Sequence, residues 1–408
     1  MKTRVALIIA PLVILALALA GGFILLWRLF FLSVAVLLLS YLWALFSIRG
    51  IEGQVKKSSE RCQVGEWFDE EVTVFNRSKA AKYLVKVEEN TDLPGHRNME
   101  AFNLPSQSSH RWQNKVYCQR RGQYSLGTLT AMVTDPLGLF SLRRNLGEPQ
   151  NILVYPATLE LPFFQPLSRN ESGYGPNRWL LSELSPNAAR VREYASGDTL
   201  NRIHWGTTAH AGKLMVKVFD PDRSRYTARN IWLILDMNQA SQLGDGDETT
   251  EEYCITTAAS LIKRYIDSGK RVGLIASGDQ SYLFPPETGD QHLSQMLEAL
   301  ALMKATGKVP VDQLILDEIE HFEASSVIIV ITPSTSDEIT ASLRHVKKRG
   351  TMVIAILLDS ISFGGTVSTI NTTRSLISNG IQVYVVRCGV ELARALDSRV
   401  LPSGMRHI

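Results

Sequence analysis

The chain reads as a multidomain protein with α/β and all-β parts: an N-terminal transmembrane helical hairpin, a β-sandwich, and a doubly wound α/β domain. Three observations predict this. Residues 5–48 are almost wholly apolar. Residues 52–156 hold short alternating runs broken by turn residues. From Asn230 onward, β-branched apolar runs alternate with amphipathic segments, as in a parallel sheet flanked by helices.

The hairpin occupies residues 1–50. Val5 to Ala20 is followed by Gly21-Gly22, Phe23 to Trp27, Arg28, and then Leu29 to Ile48. A span needs about 20 apolar residues. Leu29 to Ile48 meets this alone, and the first run meets it if it continues to a turn between Gly21 and Arg28. Lys2 and Arg4 precede the pair, and Arg49, Lys56, Lys57 and Arg61 follow it. Positive charge at both outer ends predicts cytoplasmic termini. The expected location is the inner (plasma) membrane, multi-pass with two helices, with the soluble domains cytoplasmic and the lipid bilayer as a partner. A cleaved signal peptide ending at Ala18-Leu19-Ala20 is the competing reading. It would leave Leu29 to Ile48 as the only anchor, but the second apolar run follows too closely to favour it.

Residues 51–157 form the sandwich. Glu70 to Phe75, Tyr83 to Val87, Trp112 to Cys118 and Leu126 to Val133 read as strands. Such spacing over about a hundred residues predicts an immunoglobulin-like arrangement. Asp135-Pro136 and Gly138 are turn chemistry, with Leu137, Leu139 and Phe140 as packing residues. Residues 158–188 carry Pro162, Pro166, Pro176 and Pro186 and read as a linker that wraps over the next domain.

Residues 189–408 hold the α/β domain. Strands are predicted at Ile231 to Leu235, Arg271 to Ala276, Val327 to Ile331, Thr351 to Leu358 and Ile381 to Val386. Helices are predicted at Glu248 to Asp267, Asp290 to Lys304, Val311 to Phe322, Ser336 to Arg349 and Thr369 to Asn379. Gly269, Gly350 and Gly380 stand where C-terminal caps belong. Ligands of such sheets bind beyond the carboxyl ends of the strands, where Asp236 and Thr332 fall.

The densest stretch precedes this sheet. Arg192, Glu193 and Tyr194 lead to a turn at Gly197-Asp198. Asp198 or Thr199 is expected to cap a short helix carrying Leu200, Ile203 and Trp205, with Gly212 as its stop. Lys213 to Phe219 alternates as a strand, placing Leu214, Val216 and Val218 on one face.

The motifs R-E-Y-x-x-G-D (Arg192 to Asp198), R-I-x-W (Arg202 to Trp205) and G-K-L-M-V-K (Gly212 to Lys217) resemble the signature of the family called domain of unknown function 58. The likeness runs over nearly the whole chain. It implies paired membrane helices, a β-rich segment and a C-terminal domain similar to von Willebrand factor A. It also implies a partner, a MoxR-type AAA+ ATPase. This chain departs from the family at His204, Gly206 and His210, where the resemblance leads one to expect Asp, Lys and Arg.

Site chemistry is sparse. A net charge of +3, from 43 basic and 40 acidic residues, is too balanced for a nucleic-acid partner. Cys62, Cys118, Cys254 and Cys388 form no C-x-x-C pair. Metal-binding von Willebrand factor A domains use D-x-S-x-S, whereas here the loop runs Asp236, Asn238, Ala240, Ser241. With Pro333 after the later strand, the expected site is degenerate and holds no metal. His204 and His210 cannot share one helix face. No nucleophile elbow, phosphate loop, cofactor motif or small-molecule site stands out. Arg192, Glu193, Tyr194, Gly197, Asp198, Arg202, Trp205, Gly212 and Lys213 form the signature. They read either as a recognition surface or as a buried network with Trp205 in the core. The expected role is a non-enzymatic scaffold or adaptor working with the ATPase in envelope or protein-complex maturation. The alternative is a hydrolase or metal-dependent enzyme at the inner membrane face.

Overall fold

The computed structural model describes residues 2–164, 190–195, 203–218, 230–323 and 326–398. Two compact units are present. One comprises Met1–Ala157 with Leu300–Leu302, and the other comprises Thr158–Ala299 with Met303–Ile408.

The first unit opens with helices α1 (Lys2–Gly21) and α2 (Ile24–Ile48). The chain reverses at Gly22, whose φ of +66° lies in the left-handed region that glycine enters without a Cβ clash. Helix α2 is long and apolar enough to cross a membrane. Its last turns belong to the sandwich: Ser40, Ala44, Ser47 and Ile48 are buried, and Ile48 joins the sandwich core. The Ser40 hydroxyl donates to the Asp135 carboxylate. The buried Lys82 ammonium donates to the Phe46 carbonyl at 2.6 Å. Phe140 packs edge-on against Tyr41, as a packing residue should, whereas Leu137 is 60% exposed and is not one.

Ten strands follow: β1 (Ile51–Lys57), β2 (Arg61–Gln63), β3 (Trp67–Asn76), β4 (Lys82–Asn90), β5 (Met99–Leu104), β6 (Ser109–Tyr117), β7 (Gly122–Leu126), β8 (Thr128–Thr134), β9 (Ser141–Leu146) and β10 (Gln150–Tyr155). They form sheets ordered β1-β3-β6, β5-β4-β8-β9 and β2-β10-β7. The run expected as one strand, Leu126 to Val133, breaks at Gly127 (φ +82°). That turn sends β7 and β8 into different sheets. One core gathers Ile51, Val72, Val74, Val85, Leu129 and Val133 between β1-β3-β6 and β5-β4-β8-β9. A second gathers Cys62, Phe68, Val116, Cys118, Ile152 and Val154.

The second unit begins on a packed segment. Leu161 and Phe164 are buried, and the Arg264 guanidinium donates to the carbonyls of Leu161, Pro162 and Phe164. The rest of the expected linker, 165–188, lies outside the described residues. A hairpin of β11 (Arg190–Glu193) and β12 (Met215–Val218) flanks α3 (Trp205–Ala211).

The main sheet contains β13 (Asn230–Leu235), β16 (Arg271–Ser277), β17 (Ser281–Glu287), β18 (Val327–Thr332), β19 (Met352–Leu358) and β20 (Gln382–Val386), with a small ribbon, β14 (Gly244–Asp245) and β15 (Glu248–Thr249), preceding its first helix. The order is β17-β16-β13-β18-β19-β20. Every pair is parallel except β16–β17. The unexpected strand β17 carries Pro285 and Pro286 and lies at the edge, where a missing N–H costs no ladder bond.

The helices are α4 (Thr250–Asp267), α5 (Asp290–Leu302), α6 (Val311–Asp317), α7 (Asp337–Lys348), α8 (Ile370–Ser378) and α9 (Leu392–Ala395). The helix expected at Val311 to Phe322 stops at Asp317 and continues as a 3-10 turn, Ile319–His321. Trp232, Ile234, Val330 and Ala355 on one sheet face pack with Leu314, Ile315, Leu343 and Leu376 of α6, α7 and α8. Strand alternation turns Leu233, Ile329 and Ile356 to the other face, and α4 contacts β13, β16, β18 and β19. All six residues of β13 are buried. Each large aliphatic side chain so placed contributes about 1.5–3 kcal/mol. Gly269, Gly350 and Gly380 take positive φ just past α4, α7 and α8, as expected.

Candidate functional site

The signature forms a strand–helix–strand lobe. Arg192 pairs by its backbone with Val216 across β11–β12, and the Tyr194 N–H donates to the Leu214 carbonyl at 2.8 Å. Gly197, Asp198, Thr199, Leu200 and Arg202 lie outside the described residues. The helix starts later than expected. Ile203 is buried and bridges Val216, so it cannot be the helical residue predicted. His204 is the N-cap: its Nδ1 accepts the Thr207 N–H at 3.0 Å. Gly212 ends the helix with φ +62°, and its N–H reaches the Thr208 carbonyl. His204 and His210 stand at opposite ends of this short helix. Gly206 lies in its first turn, on its exposed side.

Exposure separates the two readings for the residues seen. Trp205 is 68% exposed, Leu214 44% and Tyr194 37%. Trp205 is therefore not a core residue. Glu193 and Lys213 form a 3.1 Å ion pair in solvent, which contributes at most about 1 kcal/mol.

At the carboxyl end of the parallel sheet, Asp236 is 1% exposed. Its Oδ2 accepts the Thr332 hydroxyl at 2.6 Å. Its Oδ1 accepts the Asn238 N–H at 3.1 Å and the Ser241 hydroxyl at 3.4 Å. Asn238 spends its own side-chain oxygen on the Ala240 N–H. The three residues thus meet, but as a turn that satisfies itself. Burial raises the Asp236 pKa above the ordinary carboxylate range, against the pull of Thr332, Asn238 and Ser241.

A third cluster was not anticipated from the sequence. Glu70 on β3 and Glu89 on β4 are buried between strands of two sheets, and His96 reaches them from the β4–β5 connection. His96 Nε2 lies 3.0 Å from Glu89 Oε2 and 3.5 Å from Glu70 Oε2. Gly127 donates its N–H to Glu89 at 2.7 Å. Asn98, held by the Trp112 indole N–H, turns its amide toward both carboxylates. Burial alone would lower the His96 pKa, but its bonds to Glu70 and Glu89 push it up to about 9. Burial and the neighbouring Glu89 raise Glu70 against its bond to His96. Burial works to raise Glu89 as well, yet its bonds to His96, Glu70 and Gly127 hold it below the usual range. In the sequence Glu70 shares the strand face of Val72 and Val74, but nothing links it to Glu89 or His96.

Cys62 and Cys118, distant in sequence, share the second core, and burial together with Cys62 pushes the Cys118 thiol up. Cys254 is a buried core residue, whereas Cys388, in an equally apolar run, is partly exposed.

Comparison with known proteins agrees with the signature. The family described as "Protein of unknown function DUF58" matches residues 190–361. A curated relative is the "Uncharacterized protein YeaD" of Bacillus subtilis (strain 168). It is 23% identical over 349 residues, 83% of each chain. Among solved structures, the CARDB domain of a Pyrococcus furiosus protein, crystallised with di-metal ions, is 16% identical. It covers 26% of this chain and 91% of its own, with a TM-score of 0.21. Proximal thread matrix protein 1 of the mussel byssus is 16% identical, covering 42% of this chain and 45% of its own, with a TM-score of 0.31. Neither of these two likenesses assigns a fold or an activity.

Proposed function

We propose that this chain is a membrane-anchored, non-enzymatic scaffold or adaptor that works with a MoxR-type AAA+ ATPase in envelope or protein-complex maturation. In this reading both N-terminal helices span the inner membrane and the soluble parts face the cytoplasm. The sandwich is immunoglobulin-like and the parallel sheet is von Willebrand factor A-like. The ATPase supplies the energy and this chain the membrane location. The observation that supports a partner surface is the exposed set Tyr194, Trp205 and Leu214 on the signature lobe. A tryptophan held in solvent at the start of a short capped helix, with Tyr194 also exposed on the lobe, suits a binding hot spot.

The test is capture of the organism's own MoxR-type ATPase by the full chain in mild detergent. Trp205→Ala should leave the melting temperature unchanged, because the ring is 68% exposed. It should weaken capture by about thirtyfold, the equivalent of about 2 kcal/mol. Equal capture by Trp205→Ala and wild type refutes this surface.

A further inference from the structure

We propose that Glu70, Glu89 and His96 form a site for one divalent transition-metal cation of the zinc type inside the sandwich. The ligand atoms already converge: His96 Nε2 is 3.0 and 3.5 Å from the two carboxylate oxygens, and all three lie within 4.8 Å of one another. Ligands placed about 2.0–2.1 Å from a tetrahedral zinc stand about 3.4 Å apart, so these atoms need only small shifts to surround an ion.

A second observation points to a ligand. Glu70 is 0% exposed, and its Oε1 has no hydrogen-bond partner. A buried acceptor left unmade is costly. A cation bound through both Glu70 oxygens would engage it. Charge agrees as well. Once the ion displaces the imidazole proton, two carboxylates and a neutral imidazole carry two negative charges, which one divalent ion cancels within an interior that penalises net charge. Around this shell, the Gly127 N–H fixes Glu89, and the Trp112–Asn98 pair orients an amide toward both carboxylates. Outer partners of this kind hold metal ligands in place. An imidazole with two carboxylates suits zinc better than calcium, which takes only oxygen.

The experiment uses the full chain purified in mild detergent, its metal content read as isolated and again after chelation and reloading with Zn²⁺ alone. About one zinc per chain is expected, with a dissociation constant below about 1 μM, well inside the range of built protein sites. His96→Ala should weaken binding by more than the 10–100-fold that loss of an outer partner costs. Zinc-edge X-ray absorption on the wild type, which needs no variant to fold, should show nitrogen and oxygen at about 2.0–2.1 Å, including one imidazole. Wild type that binds no zinc, or His96→Ala that binds it as well, overturns the proposal. So does a sulfur shell at about 2.3 Å, which would place the ion on Cys62 and Cys118.

Discussion

Removing the Thr332 hydroxyl should destabilise the second unit, whereas neutralising its partner should not. Thr332→Val keeps the shape of the β18 end but takes away the 2.6 Å donor to Asp236. A bond to a charged acceptor contributes about 1.5–3 kcal/mol. A unit of this size melts about 2–4 °C lower per kcal/mol lost. The variant should therefore unfold about 3–12 °C earlier in calorimetry of the detergent-solubilised chain. Asp236→Asn differs in kind. Its side-chain oxygen still accepts from Asn238, and its amide donates to the Thr332 oxygen, which also accepts the Ser334 N–H. Because burial raises the Asp236 pKa, the unfolded chain gives up this proton at lower pH than the folded chain. The ionised group therefore costs stability above its raised pKa, and that cost shrinks as pH falls through it toward 3.8. Asp236→Asn should melt at or above wild type at neutral pH, with the advantage fading on acidification. If it melts as early as Thr332→Val, the carboxylate charge is required there and this account of the loop is wrong.

Two further outcomes follow from the packing. Asp135 is pulled below its ordinary pKa because bonds from Ser40, Phe140, Leu137 and Leu139 outweigh the effect of burial. Its contribution is full above about pH 4 and disappears as pH falls through the lower folded value, so Asp135→Asn should destabilise the first unit at neutral pH and match wild type in acid. At Gly307, an added Cβ would stand 2.0 Å from the Ser277 carbonyl and 2.9 Å from that of Met237. Gly307→Ala must shift backbone and should speed amide exchange of Gln239, whose N–H bonds the Gly307 carbonyl.

The parallel strands were legible because β13, β18 and β19 are buried on both faces, so their apolar runs are unbroken. What escaped has local causes. β17 carries two prolines that read as a loop until an edge position makes them harmless. Gly127 divides one apolar run between two sheets, a decision made by one dihedral angle. The helix of the signature starts later than its sequence pattern suggests, because Ile203 fits a helical face as well as it fits a bridge to Val216. At the sheet end, Asp236, Asn238 and Ser241 were legible as a group because they are neighbours in one loop. Glu70, Glu89 and His96 were not, since they meet only where strands of two different sheets pack together.

The joint between α2 and the sandwich has a mechanical consequence. From Ser40 to Ile48, about 12 Å of helix lies against the domain, and only Arg49 and Gly50 separate its end from β1. No slack exists to absorb rotation. With α2 in a bilayer, the helix is a stiff mast stepped directly into its hull: a twist of the lipid-facing segment turns the sandwich through the same angle. A pull on the sandwich likewise loads the hairpin without first unwinding a tether. Inserting a few flexible residues after Ile48 would loosen only the covalent joint, because the Ser40–Asp135, Tyr41–Phe140 and Phe46–Lys82 contacts would still couple helix and sandwich.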